Sequence, residues 1–232
     1  AQPRAGRRAL ESTRASIGVQ DFDPAVQAAI NRPQSFERTR QVIAELRASG
    51  LLSINLDILY GLPLQTPERL DATVEKVIAL EPERVALFGY AHVPWMKPHQ
   101  KLIRDAELPG AQARFVQSQA AARYLTGKGW RAIGLDHFAL PHDSLAAAQR
   151  AGRLRRNFQG YTTDEAPALI GLGASSISHT PQGYVQNLTQ EREWRAAVGR
   201  GRLPVARGVA LTAPDRFIAD LSRSDEPTAE LQ

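Results

Sequence analysis

Ile54-Asn55-Leu56-Asp57-Ile58-Leu59-Tyr60, closed by Gly61-Leu62-Pro63 and followed by Thr66-Pro67-Glu68, is the stretch on which the fold turns. Its first seven residues are rich in strand formers, and Gly-Leu-Pro breaks the strand. Thr-Pro-Glu then opens a helix with a capping hydroxyl and a first-turn proline. That helix carries Leu70, Val74, Val77 and Ile78 as an apolar stripe. A strand that hands over directly to an amphipathic helix is one half of a βαβ unit.

The same alternation extends in both directions. Upstream, Ala15-Ser16-Ile17-Gly18-Val19 reads as a short buried strand ending at Gln20-Asp21-Phe22, and Asp23-Pro24 caps and starts a short helix through Ile30. A second helix spans Ser35 to Ser49, with Phe36, Ile43 and Leu46 on one face and Gly50 as its left-handed stop. Downstream, Arg84 to Tyr90 is a third strand, Ala111 to Leu125 a helix, and Trp130 to Leu135 a fourth strand ending at Asp136-His137-Phe138. This spacing of about 30 to 45 residues is that of βα units in an open sheet or a (β/α) barrel. Beyond Pro141 the pattern weakens. Ser144 to Gly152 is an alanine-rich helix, 156–163 a loop, and Gly171 to Ser178 a run of small residues where backbone must approach something closely.

Polar groups gather at the strand ends: Gln20, Asp57 with Tyr60, Tyr90 with His92, and Asp136 with His137. In parallel α/β folds that edge is where loops converge on ligands. Asp57, His92, Asp136 and His137 also admit a zinc-dependent hydrolase on a (β/α) barrel, although no HxH or HExxH pair gives the spacing specificity. The chain of 232 residues contains no cysteine, which excludes disulfides, thiolate zinc sites, cysteine nucleophiles and thiolate ligation of an iron–sulfur cluster within it. The formal charge of +5 comes from dispersed arginines without nucleic-acid-reading motifs. No apolar run is long enough for a membrane span, so the expectation is a cytoplasmic protein with neither membrane nor nucleic-acid partner.

In order along the chain, SIGVQDFDPAVQAAINR (16–32), INLDILYGLPLQT (54–66), FGYAHVPW (88–95), GLDHFALPHDSLAAAQRAGRLRRNFQGYTT (134–163) and LIGLGASSISHTPQGYVQN (169–187) resemble the oxygen-independent coproporphyrinogen III oxidases of the radical S-adenosylmethionine family. DHFA together with RNFQGYTT resembles the oxidase rather than the related haem chaperone, which leaves a non-catalytic haem- or porphyrin-binding module as the second reading. The resemblance implies an α/β fold: about the second half of a TIM-like radical S-adenosylmethionine (β/α) barrel over 14–217, with an irregular C-terminal extension. It also implies S-adenosylmethionine and a 4Fe–4S cluster as cofactors, an electron donor, and a full-length monomer. Its reaction converts two propionates of coproporphyrinogen III to vinyls with loss of carbon dioxide, giving protoporphyrinogen IX in haem synthesis. Carried over position by position, Gln20, Arg32, Asp57, Ala91 and Ile177 fall where that family binds S-adenosylmethionine; the match implies no catalytic side chain and no metal ligand. Arg155, Arg156 and Arg207 are candidates for a basic mouth toward an anionic substrate.

The family's CxxxCxxC loop, glycine-rich GGGTP strand and glutamate strand have no counterpart here, and the resemblance fades after Phe217. The expectation is therefore a fragment without the cluster-binding N-terminal part and the C-terminal domain, inactive on its own. Residues 1–13 read as a stretch outside the family pattern, and 218–232 as a polar, disordered tail.

Overall fold

The structure is a computed structural model that describes residues 13–224. The chain forms two compact units divided after Leu154. Most of the expected 1–13 stretch, and 225–232 of the expected tail, lie outside the described residues.

The first unit is built on β1 (Arg14–Gln20), β2 (Ser53–Tyr60) and β3 (Arg84–Gly89), which pair in parallel and in chain order. Between them run α1 (Pro24–Ala29), α2 (Phe36–Ala48) and α3 (Pro67–Ala79), and α4 (Ala111–Gly127) follows β3. The helix starts are those the sequence predicts. Asp23 accepts from the Ala25 and Val26 amides, Ser35 from Arg38, and Thr66 from Arg69. Gly50, with φ of +91°, reverses the chain after α2.

Strand alternation separates two faces. On β2, Ile54, Leu56 and Ile58 are fully buried and join Val19, Val85 and Leu87 against Ile43, Leu46, Leu70, Val74, Val77 and Leu125 of the helices. Burial of each such side chain contributes about 1.5–3 kcal/mol. Ser16, Gly18, Asn55 and Asp57 fall on the opposite face, away from this core. Helices α2, α3 and α4 thus pack on one side of the sheet.

The expected fourth strand is present but displaced. Residues 131–133 form β4, and the chain reverses at Gly134 (φ +57°) into β5 (His137–Ala139). The sheet order is β1-β2-β3-β5-β4, with β5 antiparallel to both neighbours. β5 takes the place beside β3 because Phe138 and Ala139 are buried there and Leu87 donates to the Asp136 carbonyl. Helix α5 (Ser144–Arg150) closes the unit.

The second unit departs from an irregular extension. Residues expected as a loop form the hairpin β6 (Arg155–Asn157) and β7 (Gly160–Thr162). β8 (Ile177–Thr180), β9 (Gly183–Asn187) and β10 (Val205–Ala210) make an antiparallel sheet in the order β10-β9-β8. Helix α6 (Glu191–Gly199) joins β9 to β10, and α7 (Ala213–Ser224) makes the beginning of the expected tail helical.

Candidate functional site

Gly18 is the point where the candidate residues of the first unit meet. It pairs in register with Asp57, and the ladder slips between Gly18 and Gln20. Gln20, the last residue of β1, sits at φ +67°, a left-handed conformation uncommon outside glycine. That turn folds its side chain back over the strand, so a Cβ added at Gly18 would lie 2.4 Å from Gln20 Nε2. It would also lie 3.2 Å from Arg32 Nη2. Asn31 (φ +51°) and the Arg32 amide bond to the Gln27 carbonyl turn the chain after α1, and Arg32 Nη2 donates to the Gly18 carbonyl at 3.0 Å.

Asp57 is half-buried on the face opposite the core. Its Oδ2 accepts from Ser16 Oγ at 3.0 Å and its Oδ1 from Asn55 Nδ2 at 2.6 Å. Burial raises the carboxyl above its ordinary value; the two hydrogen bonds and His137 oppose that shift without cancelling it. Asn55 Oδ1 is buried without a partner, and the bonds of its Nδ2 to Asp57 and Ser16 fix the amide in this orientation. A carboxylate and an amide, with an exposed guanidinium one strand end away, can hold a ligand that combines hydroxyl or ammonium donors with a carboxylate.

Beneath this edge lies a buried polar network that the sequence did not reveal. Asp21 Oδ1 accepts from Thr73 Oγ1 and the Asp23 amide, and its Oδ2 accepts from Gln65 Nε2 at 2.6 Å. Gln65 Oε1 and Gln117 Oε1 both accept from the Gly61 amide. These bonds fix the β2–α3 turn and with it the rim of the site. Nothing in local spacing links residues so far apart along the chain.

Ala91 stands at the same sheet edge, just after β3, exposed, its carbonyl accepting from Gln100 Nε2 at 3.1 Å. Next to it, Tyr90 Oη lies 3.3 Å from His92 Nδ1, and His92 Nε2 lies 3.1 Å from Asp105 Oδ1. Gln20, Arg32 and Asp57 are thus brought together around Gly18, and Ala91 shares their edge. Ile177 belongs to the second unit, where it begins β8, half-buried. There the small-residue run packs on its own strand: a Cβ at Gly171 would lie 2.6 Å from the Ile177 carbonyl oxygen. Asn187 Nδ2 holds the run by donating to the Gly171 and Gly173 carbonyls. The close approach read from the sequence is therefore backbone to backbone.

The zinc reading is overturned among the described residues, where no group of three or more His, Cys, Asp or Glu is placed to hold a metal ion. His137 Nδ1 is 2.6 Å from Asp136 Oδ1, while His92 is engaged with Tyr90 and Asp105. The basic-mouth candidates are surface groups: Arg155 pairs with Glu165, Arg156 stacks over Tyr161, and Arg207 donates to Gln186. No helix among the described residues is long and apolar enough to cross a membrane.

No protein-family model matches the chain. Among characterised proteins it is 52% identical over 204 residues to the oxygen-independent coproporphyrinogen III oxidase of Paracoccus denitrificans strain Pd 1222, covering 88% of this chain and 45% of that protein. It is 42% identical over 217 residues to the enzyme of the same name from Escherichia coli strain K12, covering 94% of this chain and 48% of that one. The solved structure of HemN from Escherichia coli, described as a coproporphyrinogen III oxidase and radical SAM enzyme, superposes with a TM-score of 0.83 at 41% identity. That match covers 94% of this chain and 50% of the solved one. The chain spans about half the length of the curated relatives it matches. Over that span, in sequence and in fold, the chain is similar to the oxygen-independent coproporphyrinogen III oxidases.

Proposed function

We propose that this chain forms the S-adenosylmethionine-holding portion of an oxygen-independent coproporphyrinogen III oxidase, with its first unit a partial (β/α) barrel. The sequential strand order of β1, β2 and β3 and the packing of α2, α3 and α4 on one face support the barrel reading, because a doubly wound sheet carries its crossover helices on both faces. The observation that carries the functional reading is the convergence of Gln20, Arg32 and Asp57 on Gly18. In this reading Asp57 accepts hydroxyl or ammonium hydrogens of the cofactor, and Arg32 takes its carboxylate. Gln20 supplies an amide over the strand end, and Ala91 contributes shape and backbone. When bound, S-adenosylmethionine supplies the oxidising equivalent for the reaction. The residues here bind and orient it.

The iron–sulfur cluster does not fit this chain, since none of its 232 residues is a cysteine. We assign no step to the cluster here. The substrate of the whole enzyme, in this reading, is coproporphyrinogen III, whose two propionates become vinyls.

Calorimetric titration with S-adenosylmethionine tests the proposal. Binding is expected to weaken roughly ten- to a hundredfold in Asp57→Asn and Arg32→Ala, the range for losing a charge-assisted hydrogen bond. Equal affinity in native and variant proteins would overturn it.

A further inference from the structure

The segment 91–110 between β3 and α4 has little regular structure beyond two short 3-10 turns at Pro98–Leu102 and Asp105–Glu107, yet it is fastened at several points. Buried Gln100 accepts from the Val93 amide at 2.6 Å and donates to the Ala91 carbonyl at 3.1 Å. His92 bridges Tyr90 and Asp105, joining the two ends of the segment. The Leu64 amide donates to the Glu107 carbonyl and ties the segment to the β2–α3 turn.

A loop held this way presents its tip by construction. Trp95 is 75% exposed, Met96 70% and Leu102 81%. Lys97, His99 and Lys101 are exposed among them, and from Val93 to Arg104 there is no acidic residue. An indole and a thioether exposed to water within a few residues of two lysines form a surface for a ligand that is broad, apolar and anionic. The segment leaves the same sheet edge as Gln20 and Asp57, the side of a parallel α/β fold where ligands gather.

We propose that residues 93–104 are the receiving surface for a tetrapyrrole bearing carboxylates: Trp95 and Met96 meet the ring system, and Lys97, His99 and Lys101 meet the carboxylates. The choice of ligand rests on the oxidase reading; the surface itself does not.

The test is titration of the 232-residue chain with coproporphyrin III, followed by the porphyrin's own absorbance. Trp95→Ala is expected to weaken binding about tenfold, the effect of removing an aromatic anchor. The pair Lys97→Ala/Lys101→Ala is expected to weaken it roughly five- to tenfold at low salt, and much less at high salt, where exposed charges are screened. Arg38→Ala/Arg40→Ala, on the exposed face of α2, removes the same charge and is expected to leave binding unchanged. The tetramethyl ester of coproporphyrin III is expected to lose the lysine-dependent part. Native and loop-variant proteins binding alike, no porphyrin binding at all, or an equal loss in the α2 variant would each overturn the proposal. So would segment-dependent binding to phosphatidylserine vesicles in place of porphyrin. S-adenosylmethionine titration of the same loop variants separates the two readings. Retained cofactor binding with lost porphyrin binding supports the surface, whereas a native chain that binds porphyrin but no cofactor sinks the cofactor site alone.

Discussion

Asp57 on β2 and His137 on β5 occupy one register row of the sheet, with Ala86 of β3 between them. Gly18 of β1 completes the row on the other side of Asp57. The row faces away from the core, so a carboxylate is set half-buried beside the glycine that Gln20 and Arg32 overhang, with His137 two strands away. Site polarity here arises from register, because a slip of one residue would send Asp57 into the helix layer.

Asp57 and Asp21 both have carboxyls raised by burial, and this sets the direction of a pH dependence. A carboxyl whose folded pKa exceeds its unfolded value of 3.8 binds protons more tightly in the native state. Its stabilising contribution is complete below that value and is lost as pH rises through the raised folded value. Asp57→Asn removes its own share of this slope. The variant is expected to show a flatter stability–pH profile in urea unfolding across the acid range, and to be at least as stable as the native chain at neutral pH. A steeper profile in the variant would contradict the assignment. Residues that hold a ligand at the expense of stability behave this way.

Two glycine-to-alanine exchanges separate site from scaffold. At Gly18 the added methyl meets the far ends of two flexible side chains, Gln20 and Arg32, which can swing away. Gly18→Ala is expected to change stability by less than about 1 kcal/mol while weakening S-adenosylmethionine binding about tenfold. At Gly171 the methyl meets the Ile177 backbone, which cannot swing. Gly171→Ala is expected to destabilise the second unit by about 1–3 kcal/mol. Chemical denaturation beside cofactor titration reads both, and similar stability losses at the two positions would refute the distinction.

Much of this architecture was legible in the chain. Runs such as 54–60 announce strands because a proline, glycine or capping side chain punctuates each end, and Asp23, Ser35 and Thr66 mark helix starts through chemistry confined to one turn. The three-residue strands β4 and β5 carry too few positions for a period, so Trp130 to Leu135 reads as one strand and the reversal at Gly134 passes unseen. The hairpin at 155–162 is lost for the same reason. Gln20, Arg32 and Asp57 are picked out by their motif context, whereas Ser16, Asn55 and the Asp21–Gln65–Gln117 network become visible only once distant segments pair.

Cluster chemistry offers a test that does not depend on the site. With no thiolate in the chain, anaerobic reconstitution with iron and sulfide is expected to leave it without the broad visible absorbance of a 4Fe–4S centre. It is likewise expected to leave it unable to cleave S-adenosylmethionine under a strong reductant. Stoichiometric iron and sulfide retained after desalting would show a ligand set other than cysteine.

Arg84 and Asp143 form a buried ion pair at the opposite end of β3 from Ala91. Arg84 Nε lies 3.0 Å from both carboxylate oxygens, and Nη2 donates to Ser144 Oγ at 3.0 Å. Asp143 also accepts from the Leu145 amide as the cap of α5, so one carboxylate joins sheet to helix. The side chains are 10% and 6% exposed, so removing either leaves an uncompensated charge out of water. Arg84→Ala is expected to lower unfolding free energy by about 3–5 kcal/mol, with Asp143 left unpaired. The midpoint of a urea transition measures this. A loss under about 1 kcal/mol would mean that water reaches the pair and that α5 is held chiefly by Leu145 and Ala146.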